Sequence, residues 1–185
     1  MILLRDITTP SILDFRGFSA FLAEFFFILF AVISPVLLHS FHLPVFVILP
    51  MHWSVLMAGM IYGWRAGVIA GVFSPLLSFF LTGMPLPQVL PLIVVELTLY
   101  GFVPGMIREK TSMNSFFAVF IGLIAGRAGF VFTGVIFGKV SVSLWNFVSI
   151  NFSAGLPAAF LQLFLIPFFV SGFIFLKTRD SNNNL

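Results

Sequence analysis

The chain has 185 residues, 60% hydrophobic and only 8% charged, with a mean hydropathy of +1.16, whereas soluble domains carry about 25% charged residues. That composition excludes a water-soluble fold, the lack of cysteine excludes disulfides, thiolate metal sites and cysteine nucleophiles, and the net charge of +3 reads as membrane topology, not nucleic-acid binding. A spanning helix takes about 20 apolar residues, so six spans with short loops occupy nearly all of residues 1–185 as one membrane domain, and no room remains for a soluble catalytic or nucleotide-binding domain.

Residues 1–17 are mixed in character and broken at Thr9-Pro10, and read as a short interfacial segment. Arg5 and Asp6 interrupt the first apolar residues, which argues against a cleaved leader. The first span is predicted at about 18–38, with Glu24 near its start, where its carboxyl is expected to reach water. His39 and His42 fall in the short connector that follows, and His52 in a second span at about 45–62. A third span, about 66–82, carries Ser74, Ser78 and Thr82 at four-residue spacing, hence on one face. The fourth span, about 88–107, follows a proline-rich turn and contains Glu96 and Tyr100. The fifth, about 115–138, contains Arg127; residues 139–154 read as a longer connector suited to capping a cavity; the sixth, about 155–176, contains Gln162.

Six spans put both termini on one side, together with Arg5, Arg16, Arg65, Arg108, Lys110, Lys177 and Arg179, and leave only Lys139 opposite. Positive loops stay in the cytoplasm, so both termini are predicted to be cytoplasmic. Gly59, Gly63, Gly67 and Gly71 recur every fourth residue, and Gly101/Gly105, Gly122/Gly126 and Gly134/Gly138 repeat the spacing. Such pairs let helix backbones approach closely in lipid, and packing inside the bundle is the favoured reading over docking to a partner.

Charges within spans are costly and by default face a cavity, a partner or each other. Glu96 lies eight residues from the outer end of its span and Arg127 eleven from that of the next, roughly 12 and 16 Å deep at 1.5 Å per residue. At such similar depths on adjacent spans they can pair, which lowers the cost of burying either. They fit either a structural ion pair or a solute site, where the Arg127 fork matches a carboxylate or phosphate. The three histidines show no metal-ligand spacing, and the loop-like GVIFGKVS (Gly134–Ser141) has three residues between its glycines where a phosphate loop needs four. No catalytic residue set, cofactor or metal is expected.

The stretch PMHWSVLMAGMIYGWRAGVIAGVFSPLLSFFLTGMPLPQVLPLIVVELTLYGFVPG (Pro50–Gly105), with GRAGFVFTG (Gly126–Gly134) and AGLPAAFLQLFLIP (Ala154–Pro167), resembles the substrate-binding S components of energy-coupling factor (ECF) transporters, the vitamin importers. The resemblance covers most of the chain from Leu49 to Pro167. It implies an all-α bundle of six transmembrane helices in a prokaryotic plasma membrane, working with a transmembrane coupling subunit and two cytoplasmic ATPases. It further implies a solute site near the outer face, which in this sequence selects His52, Thr82, Gly83, Met84, Glu96, Tyr100, Arg127, Asn151 and Gln162. The family's docking pattern on the first span, Ala-xxx-Ala, is met here only by Ser19-xxx-Ala23, with Ala20 beside it. The competing reading is a non-transporting scaffold of the cell-shape type, which shares a similar small helical build.

Overall fold

The computed structural model describes residues 12–42, 48–111, 113–138 and 143–183, without the side chains of residues 144, 151, 154 and 177–183. The helices in chain order are α1 (Phe18–Ser40), α2 (Pro50–Tyr62), α3 (Trp64–Thr82), α4 (Leu90–Lys110), α5 (Ser115–Ile136) and α6 (Leu144–Asn183). Among the described residues there is no strand. Among the described residues five stretches are long and apolar enough to cross a bilayer: α1, α3, α4, α5 and the Gly155–Leu176 part of α6.

The helix boundaries follow local chemistry. Gly63 alone joins α2 to α3, at φ 86°. A side chain there would be strained by that angle and would also meet the Glu109 carboxyl at 2.6 Å. Gly83, at φ 73°, ends α3 in the left-handed conformation, its N–H bonded to Phe79 O at 2.9 Å. Pro91 sits in the first turn of α4, where a missing N–H costs nothing, and Arg108 and Lys110 occupy the last turn, where cations suit the helix dipole. Asn114 caps α5 by accepting from the Phe116 N–H at 2.9 Å. Arg108, buried at the end of α4, donates through Nη1 to Ser115 Oγ at the start of α5, tying that turn together.

α4 is the central element, packed against α2, α3 and α5. Glycine makes these contacts possible. A Cβ on Gly59 or Gly67 would run into the backbone of Gly101, and one on Gly101 into the backbone of Gly67. Further along, a Cβ on Gly71 would meet Thr98 Cα at 2.6 Å and one on Gly105 would meet Trp64 N at 2.7 Å. Gly59, Gly67, Gly71, Gly101 and Gly105 are thus spent on internal packing, as favoured from the sequence, whereas Gly138 has nothing within 4 Å of an added Cβ. Leu56, Met60, Ile61, Leu97 and Ile166 fill the core beside this seam, while Phe21, Phe25, Phe26 and Phe30 of α1 point outward as a lipid-facing surface does.

Two expectations are corrected, and the predicted second span, 45–62, is described only in part: from Pro50 it is a helix of 13 residues, about 20 Å long at 1.5 Å per residue. Leu49, in the left-handed conformation at φ 46°, interrupts the helix between Ile48 and Pro50; residues 43–47 lie outside those described. The expected connector 139–154 is helical from Leu144, continuous with the last span, so α6 has 40 residues; Lys139 lies outside the described residues. Glu24 does not reach water: it is 4% exposed, and its carboxyl approaches the Ala70 backbone on α3 without a hydrogen bond of normal geometry. It shares an inward face with Ala20 one turn earlier, and that face packs on the core.

Candidate functional site

Glu96, in the second turn of α4, is 2% exposed. A carboxylate so far from water needs partners, and three elements supply them. Arg127 Nη1 of α5 lies 3.1 Å from Glu96 Oε1. The Tyr100 hydroxyl, one turn along α4, donates to the same oxygen at 3.2 Å. His52 Nε2, from the first turn of α2, stands 3.8 Å away, and its ring lies 5.1 Å from that of Tyr100. The helix that starts at Pro50 places His52, in its first turn, beside Glu96.

Two glycines make room for the cluster. Gly126 of α5 passes the Tyr100 ring so closely that a Cβ would strike it, and a Cβ on Gly155 of α6 would fall on the Arg127 guanidinium. Arg127 also lies over the Phe130 ring, 5.8 Å from its centroid, a favourable place for a cation.

Tyr100 and Arg127 line one wall of a cavity of about 720 Å3. Phe120, Leu123 and Ile124 of α5 form its side, and Phe152, Gly155, Leu156, Phe160 and Gln162 of α6 its far wall, with Leu49 contributing at the start of α2. That volume falls within the range of about 300–1,000 Å3 common for small-molecule sites. Gln162 is 1% exposed, and its Nε2 has no hydrogen-bond partner among the described residues. Both ring nitrogens of His52 are likewise buried without a hydrogen bond to any described residue.

The structure therefore brings together His52, Glu96, Tyr100, Arg127 and Gln162. It leaves Thr82, Gly83 and Met84 apart: all three are exposed at the end of α3 and none lines the cavity. There the Thr82 hydroxyl donates to Ser78 O at 2.7 Å and accepts from the Met84 N–H at 3.2 Å, closing the helix end. Asn151 belongs to α6 by its backbone, and its side chain lies outside the described set. Of the predicted docking residues, Ser19 is exposed and Ala23 partly buried, whereas Ala20 is turned into the core. Ser74 is fully buried and Ser78 nearly so, and neither lines the cavity. Sequence reasoning missed the apolar wall, since Phe120, Ile124, Phe152 and Phe160 look like any lipid-facing residues. Gly155 carried a signal only in retrospect, as the gap that a neighbouring guanidinium requires. Among the described residues no three metal-ligating side chains are grouped.

The sequence pattern described as "ECF transporter, substrate-specific component" matches residues 26–178. No curated protein and no solved structure matches the chain.

Proposed function

Because the chain belongs to the substrate-specific components of ECF transporters, we propose that it captures a vitamin or related small metabolite from outside a prokaryotic cell for ATP-driven import. The family supports the coarser part of this reading: a multi-pass, substrate-binding membrane subunit that is not an enzyme. The observation that carries the finer part is the cavity beside the buried Glu96–Arg127 pair, walled by α4, α5 and α6. Arg127, Tyr100 and Gln162 are the contacts to the solute, with Glu96 and His52 holding them in place. Thr82, Gly83, Met84 and Asn151 contribute only if their end of the bundle closes over the solute.

The energy comes from partners, a transmembrane coupling subunit and two cytoplasmic ATPases, as in the family. Docking uses the face of α1 that carries Ser19 and Ala23, while Ala20 serves the bundle. The scaffold reading is not favoured, since it gives no account of the family match or of the cavity. The test is to purify the chain from its native membrane, look for a copurified small molecule by mass spectrometry, and probe for the coupling subunit. A bound metabolite together with that subunit supports the proposal; the absence of both overturns it.

A further inference from the structure

This inference rests on the substrate-binding reading above and concerns what kind of molecule the cavity accepts. An arginine on a cavity wall ordinarily suggests an anionic ligand. Here the charge of Arg127 already has a counter-charge: Glu96 Oε1 lies 3.1 Å from Nη1, with Glu96 almost wholly buried behind it. The pair carries no net charge, so a phosphate or carboxylate entering the cavity would meet the field of Glu96 as well as that of Arg127. In a low-dielectric site that second field is strong.

What stays unanswered is a hydrogen-bond donor without charge. Gln162 Nε2 is buried, has no hydrogen-bond partner among the described residues, and is carried by a residue that lines the same cavity. A buried donor left unmade is costly, so an acceptor that reaches it is favoured over one that cannot. Apart from the Tyr100 hydroxyl, which is spent on Glu96, the rest of the described lining is hydrocarbon and aromatic ring, including Phe120, Ile124, Phe152, Leu156 and Phe160. We propose that the cavity selects an uncharged, largely apolar or aromatic molecule bearing a carbonyl-type acceptor, and that Glu96 enforces this selection by cancelling Arg127.

The experiment uses the full chain in lipid nanodiscs and three probes with one ring system: 2-naphthamide, 2-naphthoate and 2-naphthyl phosphate, titrated by calorimetry or intrinsic fluorescence. The amide is expected to bind at least 10-fold more tightly than the carboxylate, with the phosphate weakest. In Glu96→Gln, the unmasked guanidinium is expected to reverse the order of amide and carboxylate. Gln162→Leu is expected to weaken the amide about 10-fold while leaving unsubstituted naphthalene unchanged. Tighter binding of the carboxylate or the phosphate to the wild-type chain overturns the inference, and so does failure of all three to bind. That comparison needs no variant, so a misfolded Glu96→Gln would not rescue the idea. A copurified metabolite carrying a strong negative charge would overturn this inference while upholding the substrate-binding reading, which keeps the two failures distinct.

Discussion

Glu96 Oε1 has Arg127, Tyr100 and His52 around it, contributed by three helices, and removing one partner strands the others. Arg127→Gln is expected to destabilise the protein by about 3–5 kcal/mol, the usual cost of orphaning a buried charge. The double variant Glu96→Gln/Arg127→Gln is expected to recover much of that loss, because neither charge is left alone. Thermal unfolding of the four proteins in one detergent completes the cycle; losses that simply add would show that the pair is not coupled. Glu24 presents the opposite case. Buried without a properly formed hydrogen bond, it is relieved, not stranded, by an apolar replacement. Glu24→Leu is expected to leave the unfolding temperature unchanged or raise it, with up to about 1–3 kcal/mol available from the removed unsatisfied group. A clear drop would mean that the carboxyl has a partner in the membrane. Both glutamates were visible in the sequence, and counting residues at a constant rise placed Glu96 at a depth where it could meet Arg127. The same counting misplaced Glu24, because depth along a helix says nothing about the direction a side chain faces. That direction is set by Ala20 and its neighbours packing inward.

Among the elements, α3 and α4 touch backbone to backbone where Gly67 faces Gly101. Gly101→Ala forces a methyl into that contact and is expected to cost about 1–3 kcal/mol through overpacking. Gly172, in α6, is the matched control: nothing lies within 4 Å of a Cβ built there. Gly172→Ala is expected to be neutral or to stabilise by about 0.5–1 kcal/mol, from helix propensity alone. Equal losses at the two positions would refute the close-contact account. This seam was legible in the sequence because four-residue glycine spacing has few other uses in lipid. The start of α2 was not. Apolar residues run on both sides of Leu49, and hydropathy cannot register a left-handed residue between them; Pro50, which restricts the residue before it, was the one local hint. The first turns of α6 were hidden differently, since Asn146 and Asn151 gave residues 144–154 the polarity of a loop. Packing in place of composition supports that segment, with Phe147 stacked on Phe130 at 6.4 Å and closing against Gly134.

At the scale of the whole molecule, the arrangement of the basic residues predicts an orientation that chemistry can read. The chain has no cysteine, so single cysteines report without background. In intact cells, Met84→Cys is expected to react with a membrane-impermeant maleimide, and Lys110→Cys only after permeabilisation. The reverse pattern would invert the molecule in the membrane. The final consequence belongs to α6, which holds two prolines within 40 helical residues. Pro157 cannot donate to the Ser153 carbonyl, so the backbone ladder of α6 has a missing rung at a residue that itself lines the cavity. Flexing at that rung would swing Phe152 and Gly155 relative to Gln162 and so change the shape of the cavity wall. Residence time is then a property of the wall itself: Pro157→Ala, by restoring the rung, is expected to slow both association and dissociation of a ligand several-fold while leaving its affinity nearly unchanged.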